Sequence, residues 1–163
     1  LGRMFRHLAE QASVPVVAHL DHGYSLEECR AALDAGFTSV MVDGSKLPLQ
    51  ANIDLTAAVA ELAHAAGASC EGEIGFVGYA GGAASAGTNP EEAARFARET
   101  GVDAMAISIG NVHLQQDAGQ GLDLDRLREI EALTPFTKAT GFLPKCFWLL
   151  IKKHQILCFK LRK

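Results

Sequence analysis

The sequence is short of several features that would assign it a class at once. Its start, LGRMFRHLAEQASVP, holds no apolar core ahead of a small-residue cleavage site, so no secretory signal is expected there. The first residue is Leu, so it need not be a natural N-terminus. The cysteines, Cys29, Cys70, Cys146 and Cys158, form no CxxC pair and read as free thiols of a cytosolic protein. No G-x-G-x-x-G follows an apolar run, which weighs against a dinucleotide fold. The stretch 142–151, FLPKCFWLLI, is too short to span a bilayer and is interrupted by Pro144 and Lys145. Acidic residues are absent from 134 onward, where 7 of the 15 basic residues and the single Trp lie. Residues 1–133 hold all 19 acidic residues and only 8 basic ones.

That imbalance divides the chain. An acidic, Ala/Gly-rich body occupies residues 1–133, and a basic, aromatic tail runs from 134 to 163. A composition break of this kind marks a boundary, an interaction tail, or translation past a frame error. At 163 residues the chain is long enough for one domain with its own core. It is short of the ~250 residues typical of an eight-stranded barrel.

What the body does contain is regular alternation. After an expected opening helix over Gly2–Gln11, apolar, β-branched runs at Val14–Leu20, Thr38–Val42, Ala68–Ile74 and Val102–Ile109 read as buried parallel strands. Each is followed by a helix with its own punctuation. Ser25 and Glu28 have capping-box spacing, and Gly36 stops that helix. Ala51–Ala66 carries an apolar side of Ile53, Ala57, Val59, Leu62 and Ala63, and ends at Gly67. Asn89-Pro90-Glu91-Glu92 gives an N-cap, a proline in the first turn and two helix-favouring acids. Leu122–Leu133 closes the pattern as a helix, with Asp123 or Asp125 near its start. Strand–helix alternation with short connections predicts a parallel α/β sheet with right-handed crossovers, either a barrel or an open sheet.

Chemistry-bearing side chains recur where these strands end. Asp21 and His22 close the first, Asp43 the second, Glu73 the third and His113 the fourth. In a (β/α) barrel these ends converge on one face, which carries the active site. Imidazole and carboxylate groups suit a divalent metal and acid/base work. His19 shares a face with Asp21, and Glu71 shares one with Glu73; two acids in a buried strand need a metal, a base or water to compensate them. Taken alone, each has a plainer explanation: Asp43 as a turn-starting Asp-Gly, His113 as a structural histidine, the HxDH as a cap beside a satisfied imidazole. Their coincidence at four strand ends favours a site. His7, His64 and His154 read as surface or packing residues. The Gly-rich loop 75–88, with Phe76 and Tyr79, is either a phosphate cradle or a mobile lid.

As an ordered set, HLDHG, VDGS, GEIG, NPEEA and SIGNVH resemble the class II, metal-dependent fructose-bisphosphate/tagatose-bisphosphate aldolases over residues 3–133. The resemblance implies four consecutive βα units of a TIM (β/α)8 barrel, an internal piece of a longer subunit. It implies Zn2+ as cofactor and a ketose 1,6-bisphosphate as substrate, cleaved to dihydroxyacetone phosphate and glyceraldehyde 3-phosphate. Asp21 matches the acid/base that exchanges a proton with the hydroxyl of the bond being cleaved. His22 and His113 match two zinc ligands, and Asp43 and Glu73 match acids of a second or alternative metal position. Homo-oligomers and a cytoplasmic location also follow from the resemblance; nucleic-acid or membrane partners do not.

The sequence departs from the family in several places. No HGGSG-like turn supplying a third histidine follows Leu133, and two strands expected before residue 1 are absent. Leu114 stands where many members have Gly, and no Asp or Glu lies between Glu73 and Glu91. Little or no aldolase activity is therefore expected of the chain as written. Two other readings stay open on residues alone: a metal-independent phosphosugar enzyme using Asp21 and Glu73, and a non-enzymatic domain whose basic tail binds a membrane surface or acidic partner.

Overall fold

A computed structural model describes residues 2–13, 16–78, 85–110 and 122–134. In chain order the elements are α1 (Gly2–Gln11), β1 (His19–Gly23), α2 (Leu26–Asp34), β2 (Ser39–Val42), α3 (Leu49–Ala65), β3 (Ser69–Ile74), α4 (Pro90–Thr100), β4 (Ala104–Ile107) and α5 (Leu124–Leu133). The four strands form one parallel sheet in the order β1-β2-β3-β4. A helix follows each strand, so the body consists of four βα units. Among the described residues the sheet does not close: it is a partial TIM barrel.

The helix starts follow the capping chemistry of the sequence. Ser25 Oγ accepts from the Glu28 N–H, and Glu28 Oε2 reaches back to accept from the Tyr24 N–H. Asn89 and Asp123 accept in the same way from the N–H groups of Glu92 and Arg126. Gly101 ends α4 with a φ of 67°, a left-handed conformation that suits glycine.

The first strand differs from the pattern reading. Its ladder runs over His19–Gly23, pairing first at Ser39 of β2, while Val14 and Pro15 of the expected Val14–Leu20 run lie outside the described residues. The register is broken between Leu20 and Gly23, and His22 there has a φ of 60°. The other helices and strands lie within a few residues of their expected spans.

Register separates the two faces of the sheet. Leu20, Val40 and Cys70 align across three strands, and Gly72 aligns with Met105. This face packs against the helices, where Val40, Val42, Cys29, Ile53, Val59 and Phe96 are buried. Burial pushes the Cys29 thiol up to about 11, helped by Glu28, and the Cys70 thiol up to about 12, helped by Cys29, Asp103 and Glu71. The opposite face is polar: His19 aligns with Ser39, Met41 with Glu71, and Glu73 with Ala106. Strand ends and polar face together point four βα units at one region.

Gly72 shows how tightly the helix layer sits. A Cβ there would lie 2.8 Å from the Phe96 ring and 2.8 Å from the Thr56 methyl. Gly72→Ala is therefore expected to destabilise the chain by about 1–3 kcal/mol, the usual cost of overpacking. Urea unfolding should show a lower midpoint at unchanged slope; an unchanged midpoint would mean that the helices yield freely.

Candidate metal and acid–base site

His22, Asp43 and Glu73 come together at the C-terminal ends of β1, β2 and β3, each offering a ligand atom within 4.8 Å of the others. His22 Nδ1 lies 3.0 Å from Asp43 Oδ2 and 3.8 Å from Glu73 Oε2. Donors sharing one tetrahedral zinc at ~2.0–2.1 Å stand about 3.3 Å apart, so the two distances bracket that spacing. One imidazole and two carboxylates are also the right donor types for zinc. The residues present fit such an ion.

Backbone geometry aims the imidazole. His22 is the single non-glycine residue with positive φ among the described residues. For a residue other than Gly this conformation costs on the order of 1–3 kcal/mol and persists where its surroundings enforce it. Here Asp43 enforces it twice: its N–H donates to the Gly23 carbonyl at 2.8 Å, and its carboxylate takes the imidazole. The other carboxylate oxygen, Asp43 Oδ1, accepts from the Ser45 N–H at 3.0 Å and the Ser45 hydroxyl at 2.6 Å.

These contacts set the charges. Burial pushes the Asp43 carboxyl up, but the hydrogen bonds from His22 and Ser45 outweigh it and hold the group at about 2. The bond to Asp43 raises His22, against the cost of burial and with the help of the charges on Asp21 and Glu73. An ionised Asp43 only accepts, so His22 Nδ1–H is the donor between them.

Asp21 stands beside this group, with Oδ1 3.7 Å from His22 Nε2 and its side chain 41% exposed. That exposure leaves its carboxylate open to solvent. Below it, His19 Nδ1 shares a hydrogen bond with Ser39 Oγ at 2.8 Å, and Nε2 lies 3.7 Å from Glu71 Oε2. Burial lowers His19, and burial beside Asp21 raises Glu71 to about 7. His113, Tyr79, His154 and the tail beyond 134 lie outside the described residues. Among the surface histidines, His7 is exposed on α1 and His64 pairs with Asp103 at 2.9 Å. Phe76 pairs with Ala86 across the Gly-rich loop and lies under the Lys46 ammonium.

Sequence reasoning passed over three buried polar residues near the site: Asn52 and Thr56 on α3, and Thr88 ahead of α4. Asn52 and Thr56 are four apart on a helix face otherwise apolar, and that spacing was the available signal.

The sequence profile of the family described as Fructose-bisphosphate aldolase class-II matches residues 1–143. The chain belongs to the class II fructose-bisphosphate aldolase family. It is 46% identical over 125 residues to the 6-phospho-5-dehydro-2-deoxy-D-gluconate aldolase of Shouchella clausii, covering 75% of this chain and 43% of that one. It is 41% identical over 126 residues to the fructose-bisphosphate aldolase of Geobacillus stearothermophilus, covering 75% and 44%. The chain thus spans less than half the length of these curated relatives. Among solved structures, the YdjI aldolase of Escherichia coli K12 superposes with a TM-score of 0.70 at 31% identity, covering 82% of this chain and 46% of that one.

The electrostatics predict a pH window. His22 is raised in the folded chain, so its contribution is complete below the ordinary value of 6.5 and fades as pH rises through the folded value. Asp43 is lowered from 3.8, so its contribution is complete above that value and fades as pH falls towards about 2. Both are present between about pH 4 and 6.5. Asp43→Asn is expected to destabilise the metal-free chain most inside that window, measured by urea unfolding across pH. A loss independent of pH would contradict the His22–Asp43 pairing.

Proposed function

We propose that this chain carries the metal and proton-transfer residues of a zinc-dependent aldehyde-lyase acting on a phosphorylated ketose. The observation that carries the reading is the His22–Asp43–Glu73 cluster, built at three adjacent strand ends with His22 in a strained backbone. His22, Asp43 and Glu73 would hold the ion, with His113 as the further ligand that the family resemblance implies. When bound, zinc supplies Lewis-acid stabilisation of the negative charge that carbon–carbon cleavage leaves on the ketone half.

The protein's own residues do the rest. In the metal-free chain Asp43 keeps the His22 ring oriented through its Nδ1–H, and an ion held by both side chains would displace that proton. Asp21, exposed beside His22, takes the proton of the hydroxyl on the bond being cleaved and returns it in the condensation direction. Glu71 and His19 form a buried polar floor below Asp21.

The relatives' names narrow the substrate. A 6-phospho-5-dehydro sugar acid and a fructose bisphosphate share a ketone next to a phosphorylated carbon, followed by hydroxylated carbons. Dihydroxyacetone phosphate is therefore the common half. The aldehyde half is glyceraldehyde 3-phosphate for a fructose- or tagatose-type bisphosphate, and a carboxylate-bearing aldehyde for the sugar acid.

Calorimetric titration of the 163-residue chain with Zn2+ tests the reading. One site is expected, lost in His22→Ala and weakened in Glu73→Gln. Absence of binding, or binding indifferent to both changes, would overturn it. Cleavage of fructose 1,6-bisphosphate is expected to fall well below that of the Geobacillus relative, and a comparable, chelator-sensitive rate would show that four βα units suffice.

A further inference from the structure

The strand that carries Glu73 continues two residues beyond its pairing with β2. Pairing of β2 with β3 stops at Val42–Gly72, and pairing of β3 with β4 stops at Ile74–Ile107. Buried side chains bond to the carbonyls of the last two β3 residues. Asn52 Nδ2 donates to the Glu73 carbonyl at 2.8 Å, and Thr88 Oγ1 donates to the Ile74 carbonyl at 2.7 Å. Each of these side chains is itself fixed. Thr56 Oγ1 donates to Asn52 Oδ1 at 3.1 Å, which leaves the amide NH2 facing Glu73. The Ser108 N–H donates to Thr88 Oγ1 at 2.8 Å, so one hydroxyl bridges β3 to the chain leaving β4. Asn52, Thr56 and Thr88 are 3%, 0% and 1% exposed.

Room for both side chains comes from glycines just after the two acids. A Cβ on Gly44, next to Asp43, would run into the Asn52 amide, and one on Gly75 would run into Thr88 Oγ1. Asn52 therefore touches the end of β2 and the end of β3 at once. The clamp sits at the C-terminal end of β3, beside the last residues paired with β4. Leaving those carbonyls buried and unpaired would carry the full desolvation penalty.

We propose that Asn52, oriented by Thr56, and Thr88 are positioning residues that hold the end of β3 so that the Glu73 carboxylate stays within the His22–Asp43 donor set. The inference rests on the metal-site reading above. Partners behind metal ligands typically change metal affinity about ten- to hundredfold when removed.

The test uses the whole chain and two readouts: Zn2+ affinity by competition with a chromophoric chelator, and the melting temperature of the metal-free protein. Asn52→Ala leaves a cavity, so Thr56→Val and Thr88→Val, which keep shape and remove only the hydroxyl, serve as the main variants. Thr100→Val is the control, because its hydroxyl is equally buried but bonds only to the Phe96 carbonyl within α4. Thr56→Val and Thr88→Val are expected to weaken Zn2+ binding about ten- to hundredfold, and Thr88→Ser to restore it. Thr100→Val is expected to lower the melting temperature without changing affinity. Unchanged affinity in both main variants, or the same loss in Thr100→Val, overturns the positioning role while leaving the metal site intact. A wild-type chain that binds no Zn2+ removes the metal site and the inference together.

Discussion

The hydrogen bond from His22 Nδ1 to Asp43 Oδ2 is the contact on which the site depends. It joins the ends of β1 and β2 and keeps an imidazole pointed across the polar face of the sheet. Its strength comes from charge: Asp43 stays ionised because three donors converge on it, and an ionised Asp43 can only accept. The same bond keeps His22 in a conformation it would not adopt alone. Without it the strand would be free to relax and the donor set would lose its nitrogen.

That local arrangement suits a parallel sheet. All strands run the same way, so their C-terminal ends gather polar side chains while the helix-facing side stays apolar. Val40, Val42, Val59 and Phe96 supply the burial that stabilises the layer. The face of His19, Glu71 and Glu73 is polar, at the cost of burying groups that water would otherwise solvate. Glu71 shows that cost directly, being raised to about 7 by burial beside Asp21.

Much of this was legible beforehand. The caps at Ser25, Asn89 and Asp123 and the glycine stops are local chemistry, and local chemistry survives into the fold. The strand-end residues Asp43 and Glu73 were visible because strand period and strand length place them. The register of β1 was not: it depends on where β2 begins and on a break at His22, and neither is encoded in the apolar run itself. Asn52 and Thr56 escaped notice because an amide and a hydroxyl on a helix read as solvent-facing until a partner is seen. Thr88 stands ahead of α4, where threonine has many uses, and only its bonds to Ile74 and Ser108 give it one here.

The two described thiols have a consequence of their own. Cys29 and Cys70 are sealed between sheet and helices, and burial keeps both protonated far above neutral pH. Oxidants and alkylating agents react with thiolates, so these sulfurs are inert while the layers stay together. Their modification can proceed only as fast as the helices lift from the sheet. The protein thereby contains a chemical clock for its own breathing, read through two buried sulfur atoms.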